Sequence, residues 1–366
     1  MSRELLRAAA RGNTEEVALL LDKGLSADFA NADNETALLQ AAGKGHNRTA
    51  LLLLARGALV DRANTYGVTP LMNASRNGHR ETAEMLLKKG ALVDRPSNNG
   101  WTPLIAAAEC GCTEVVLLLL LVGASVDHAG KHGWTALMQA AHHGHTAIIA
   151  LLLEWGAAID QTLHGWTPLM QAVRHCHIAT AELLLKRGAR VDHANTDGET
   201  SLMYAARNGH TTTAELLLDR GAVVDNANTS GETSLMYAAR DGHTATAELL
   251  LERGAVIGHE NVRSETALVI AFQNGHAPAT DMLRLCQNPW TLGFSGLLWG
   301  LPRFIKDRAL MAVLCMKYYD LPYEIINQIL GICRLVITPH SYQESPVAHR
   351  RRLRRYNGSA LRNVLA

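Results

Sequence analysis

Three tryptophans, Trp101, Trp134 and Trp166, stand 33 and 32 residues apart. Indole is costly to leave in water and is among the commonest anchors of protein interfaces. Eight or nine residues after Trp134 and Trp166 come the pairs His142-His143 and Arg174-His175. Arg207 and Arg240 follow at the same interval, and Tyr66 precedes the first tryptophan. Aromatic surfaces edged by imidazoles and guanidinium groups suit the capture of a carboxylate-bearing segment of a partner protein, because a guanidinium can bind a carboxylate through two parallel hydrogen bonds. A second reading stays open at this level. In it each indole packs on the neighbouring stretch of its own chain, and each arginine is an ordinary solvated charge.

Two other constellations have the residue types of a metal or thiol site: His175-Cys176-His177 and Cys110-x-Cys112. Neither is accompanied by a set of four ligands or by a base with an orienting partner. The chain also has no P-loop, Gly-rich dinucleotide turn, HExxH or GxSxG motif. No catalytic residue, metal or cofactor is therefore expected, and the protein reads as a non-enzyme.

Charge divides the chain in two. The 35 Lys+Arg nearly balance the 34 Asp+Glu, which argues against a globally basic nucleic-acid binder. Residues 289–366, however, hold 11 Lys+Arg against 4 Asp+Glu, leaving 24 against 30 for residues 1–288. The six cysteines form no Cys-x-x-Cys pair, which fits a reducing compartment. Glu4 and Arg7 interrupt the apolar stretch that a secretory leader would need. The richest apolar run, Val115 to Val122, is far shorter than the roughly 20 residues of a membrane span. A monomer of the cytoplasm is expected, with the nucleus, or a host cytosol, as alternatives.

The elements that must position these side chains follow from an internal repeat. A Thr-x-Leu triplet recurs at Thr36, Thr69, Thr102, Thr135, Thr167, Thr200, Thr233 and Thr266, every gap being 33 residues except one of 32. Stepping back 33 residues from Thr36, Leu5, Ala8, Ala9 and Gly12 fall into the same frame, so nine repeats are predicted, the first without its leading turn. After each Thr, a pattern such as Leu137, Met138, Ala140, Ala141 describes a short helix with a small-residue side, ended by Gly144. A second helix is predicted over 146–154, with Ile148, Ile149, Leu151, Leu152 and Leu153 as a broad buried stripe. One such hairpin cannot bury its own apolar face, so neighbours must stack.

Thr69-Pro-Leu, Thr102-Pro-Leu and Thr167-Pro-Leu, together with the Gly-His pairs ending at His46, His79, His145, His210, His243 and His276, resemble the ankyrin repeat. The resemblance implies an all-α ankyrin solenoid over residues 1–286, whose turn tips and exposed first-helix side line a concave, protein-binding face. The position before each Thr then holds the three tryptophans in the middle of the array, flanked by Glu35, Glu199, Glu232 and Glu265. The family's signature His is Met at Met72, Met138, Met170, Met203 and Met236, which implies a greasier contact between repeats. In this register Cys176 takes the place of a helix-ending Gly, His177 is the usual Gly-His histidine, and Cys112 replaces that histidine in its own repeat.

From Asn288-Pro289 the composition changes. Residues 287–302, apolar with three glycines, are predicted to connect and cap the array, ahead of a small helical C-terminal domain over 303–366. Within it, Leu321, Pro322, Ile325, Ile326, Ile329 and Leu330 are similar to the opening of an F-box and of the F-box-related PRANC segment. That resemblance implies docking to a Skp1-type adaptor of a cullin ubiquitin ligase, against the alternative of a plain capping helix. The pairing with ankyrin repeats also fits a host-directed microbial effector. The tail at 349–355 carries Arg350, Arg351, Arg352, Arg354 and Arg355, a cluster that can meet nucleic acid, anionic membrane or an import receptor, or remain solvated. The alternative for the whole protein is an ankyrin targeting module bearing such a basic domain.

Overall fold

The threonine of each Thr-x-Leu triplet has extended backbone angles, and in most repeats its hydroxyl caps the helix that follows. In the computed structural model, which describes residues 2–287, the hydroxyls of Thr69, Thr135 and Thr167 accept the N–H groups of Met72, Met138 and Met170, each at 3.2 Å. Such a cap contributes about 1 kcal/mol. Three of the methionines that replace the family's histidine, Met72, Met138 and Met170, thus keep the threonine occupied through their backbone, whereas Thr200 and Thr233 make no such cap. Their side chains are buried, Met170 and Met203 almost completely.

Eighteen helices lie among the described residues, making the nine expected hairpins. Repeat 1 has helices Ser2–Arg11 and Thr14–Asp22, repeat 5 Ala136–His143 and Thr146–Glu154, repeat 6 Pro168–Arg174 and Ile178–Lys186, repeat 7 Ser201–Arg207 and Thr211–Asp219, and repeat 9 Ala267–Gln273 and Ala277–Gln287. Each first helix packs on the first helix of the next repeat, where alanines such as Ala140, Ala141, Ala205 and Ala206 are fully buried and allow close approach. Second helices stack likewise. Their stripe is narrower than predicted: Ile148, Ile149 and Leu152 are buried, but Leu151 and Leu153 are only half-buried, because the outer side of this layer faces solvent.

Polar bonds run from repeat to repeat in register. An aspartate after most of the Gly-Ala turns accepts a backbone N–H from the following repeat, as Asp61 does from Leu92, Asp94 from Ser125 and Asp127 from Ala158. The Gly-His histidines do the same in reverse. Nε2–H of His145 donates to the carbonyl of Glu109 at 3.1 Å, and that of His177 to the carbonyl of His142 at 3.0 Å. Cys112 fills the histidine's place with its Sγ 3.5 Å from the carbonyl of Arg76.

The turn tips are also joined. Thr65 N–H donates to Asp33 O, Asn98 to Tyr66 O and Lys131 to Asn99 O, while Thr229 donates to Asp197 O and Val262 to Ser230 O. Among the described residues no such bond reaches the turn of repeat 6, the one shortened by a residue. There His164 and Gly165 both take positive φ, 48° and 78°, between the paired residues Leu163 and Trp166. Positive φ at both central positions is what the tightest two-residue hairpin turn requires.

Candidate functional site

Each of the three tryptophans lies on the returning arm of its turn, one residue before the capping threonine, and all three are half-buried. Their environments differ. The Trp101 ring lies against Gly130 of repeat 5, so close that a Cβ added there would sit 3.1 Å from its Cδ1. Trp134 meets His142 of its own first helix edge to face, with ring centroids 5.6 Å apart. Trp166 packs on Tyr204 of repeat 7 at 4.5 Å, with the guanidinium of Arg174 over the indole at 5.1 Å. The rings thus pack against neighbouring residues and are only partly exposed. Tyr66 is 69% exposed at the tip of its turn.

The cationic border is uneven. Arg240 forms a two-pronged pair with Glu232 and lies over Tyr237. Arg207 approaches Glu199 at 3.9 Å. Arg174, exposed and stacked on Trp166, has no carboxylate partner among the described residues. Beside it the histidines of repeats 5 and 6 gather into one cluster. The His142 ring is 4.2 Å from His175 and 4.7 Å from His143, centroid to centroid. His143 and His175 are both held below the ordinary histidine pKa, first by partial burial and then by repulsion from His142 and the other cations around them.

Glu199, already placed beside the tryptophans by register, is joined on this face by Tyr204 and Tyr237, which the repeat pattern did not single out. Glu199, before Thr200, accepts the hydroxyl of Tyr204 and, at 2.6 Å, that of Tyr237 from the next repeat. Burial pushes its pKa up, but bonds from Tyr204, Tyr237 and Asn195 outweigh this and hold it below the usual carboxylate value. Both tyrosines are pushed well above theirs, by burial and by the same carboxylate. The signal was present in the identical Met-Tyr-Ala-Ala-Arg stretches at 203–207 and 236–240, each preceded by Glu before Thr.

Cys110, Cys112 and Cys176 are free thiols, and among the described residues no three His, Cys, Asp or Glu are placed to hold a metal ion. Cys176 occupies the helix-ending position with φ of 59°. Among the described residues no helix is long and apolar enough to cross a membrane. The segment from residue 288 onward lies outside the described residues, including the connecting segment, the F-box-like positions Leu321 to Leu330 and the arginines at 350–355.

The repeated hairpin, its capping threonine and its Gly-His staple agree with a comparison against family models. The description "Ankyrin repeats (3 copies)" matches residues 58–129, 117–195 and 191–261. No curated protein matches the chain. Those three matches cover more than half of its residues and coincide with the stacked helical hairpins, so the chain belongs to the ankyrin-repeat family.

Proposed function

We propose that the first-helix face of repeats 4 to 7 is the docking surface of a non-enzymatic adaptor, binding a partner protein through Trp101, Trp134 and Trp166 and orienting it with Arg174. Ankyrin repeats are protein-interaction modules, and the observation that carries the specific reading is the state of Arg174. Where Arg207 and Arg240 are paired with glutamates of their own repeats, Arg174 lies over an indole and has no carboxylate partner among the described residues. A guanidinium held in this way is ready to accept a carboxylate without first giving one up. The turn ladder breaks at the same repeat.

Affinity capture with the full chain, set against a variant with all three tryptophans changed to Ala, tests this reading. A protein retained by the first and lost by the second, with unchanged helical circular dichroism, is the expected result. Equal retention by both would overturn it.

The sequence at 321–330 supports a further role for the adaptor, attachment of the captured protein to a Skp1/cullin ligase, within a cytosol that belongs to a host if the protein is a microbial effector. A pull-down comparing the intact chain with Leu321→Ala/Ile325→Ala decides it. Absence of any ligase component from both samples sinks the idea.

A further inference from the structure

The imidazole cluster between repeats 5 and 6 has a property that stacking alone does not require. His145 and His177 are occupied, each donating to a carbonyl of the preceding repeat. His142, His143 and His175 carry no such load. His142 has one long contact, Nδ1 to Oε1 of Gln171 at 3.4 Å, while His143 and His175 make ring contacts and no hydrogen bond among the described residues. His143 and His175 are exposed. Three imidazoles with ring centroids 4.2 and 4.7 Å apart, next to an uncompensated guanidinium, form a patch that repels its own protons.

The surrounding charges set what that patch can take. On its own helices lies Arg174, which faces His175. The second helices bring His145 and His177 to it. From the preceding first helix, Glu109 faces His143 but is bonded to Arg76 at 2.8 Å. The following first helix contributes Arg207, held near Glu199. The turns of repeats 5 and 6 add Lys131, His132 and His164 by register. Glu109 and Glu199, one in the repeat before the patch and one in the repeat after it, are therefore already partnered. A long polyanion such as nucleic acid would run onto Glu109 and Glu199, within an array whose first 288 residues carry 30 acidic and 24 basic side chains. A short carboxylate-rich peptide fits between them, with Trp134 and Trp166 to cover its apolar atoms.

We propose that His142, His143 and His175, together with Arg174, make this face a pH-dependent receptor for a carboxylate-rich segment of the partner protein, gripping it more tightly as pH falls from 7.5 to 5.5. This rests on the docking role assigned to the face above. A bound carboxylate within about 4–6 Å of an imidazole raises its pKa by about 1–3 units, so binding draws protons onto the cluster. By linkage, whatever binds the protonated form better binds better in acid. The free cluster, in which His143 and His175 are harder to protonate than usual, accentuates the difference between empty and occupied states.

The test uses the full chain and two rhodamine-labelled probes, hexaglutamate and hexaglutamine, with fluorescence anisotropy at pH 7.5 and 5.5 and constant ionic strength. Hexaglutamate should bind at least tenfold more tightly at the lower pH, and hexaglutamine should not bind. His142→Gln/His175→Gln should reduce the pH ratio to less than twofold. Arg174→Gln should weaken binding at both pH values and leave the ratio in place. If the double variant loses its helical circular dichroism, His143→Gln alone should still lower the ratio. A ratio below twofold in the unmodified chain, a ratio unchanged by the histidine variants, no hexaglutamate binding at either pH, or tighter binding of a single-stranded DNA 12-mer would each overturn the proposal. A partner captured at pH 7.5 and lost with the tryptophans, alongside a flat pH profile, would leave the docking role intact and remove only this inference.

Discussion

The side chain of Cys176 displaces the imidazole of His210. In the other Gly-His repeats the ring lies directly over the helix-ending glycine of the repeat before, so that a Cβ added at Gly144 would fall 2.5 Å from Nδ1 of His177. Cys176 does carry a Cβ there, at a φ of 59°. Its partner His210 accordingly bonds through Nδ1 to the carbonyl of Val173, where its counterparts use Nε2 and a carbonyl one residue further on.

Cys176→Gly should therefore stabilise the protein by about 1 kcal/mol, the approximate cost of a side chain in the left-handed region. Urea unfolding would show a higher midpoint at unchanged slope. The converse change, Gly144→Ala, should destabilise by more than that, because strain and the collision with His177 add.

Glu199 ties two repeats together through tyrosine hydroxyls. Glu199→Ala removes the acceptor of both hydroxyl protons, while Asn195 and Asn228 still donate to the tyrosine oxygens, in a site where Tyr204 and Tyr237 are 5% and 4% exposed. A loss of about 2–4 kcal/mol is expected from equilibrium unfolding, the lower part of roughly 1–3 kcal/mol for each of two buried donors, because each oxygen keeps one bond. Tyr237→Phe should cost about 1 kcal/mol.

The same carboxylate gives stability a pH dependence. Its pKa is lower folded than unfolded, so the unfolded chain binds the extra proton first. Its contribution is complete above the unfolded value near pH 4.5 and disappears as pH falls through the folded one. Glu199→Gln should flatten the melting curve in that window.

At milder acidity the histidines act in the same direction. His143 and His175 are harder to protonate in the folded chain than in the unfolded one. Without a ligand, the melting temperature should start to fall as pH drops through about 6.5, the usual histidine value, and keep falling below it. His175→Gln should reduce that slope, and a slope unchanged in the variant would assign the effect to other groups.

Asp94 accepts the N–H of Ser125 through both carboxylate oxygens, at 3.2 and 3.0 Å. Asp94→Ala should cost about 1–2 kcal/mol, whereas Asp94→Asn, which keeps one acceptor, should cost less. Hydrogen exchange at the Ser125 amide would report the change directly.

The architecture was legible in the primary structure because each of its determinants acts within a few residues. A threonine caps the helix beginning beside it, a glycine or Cys176 ends that helix through its own φ, and the interval of 33 residues counts the hairpins. Helix 146–154 is observed with the limits its pattern predicted. The tryptophans could be placed on turn tips by register, but their surroundings could not. Trp101 leans on Gly130, Trp166 is covered by Tyr204 and Arg174, and Arg240 closes on Glu232, all contacts between groups whose separation along the chain carries no information about side-chain direction. The charge on each arginine was likewise known from its type, while its availability depends on how its side chain folds back on the turn of its own repeat, onto a glutamate for Arg207 and Arg240 and onto an indole for Arg174. Local backbone preference is a property of short stretches and can be read from them; pairing across repeats is decided by packing, and only the folded array determines that Trp101 meets Gly130, Trp166 meets Tyr204 and Glu199 binds Tyr237.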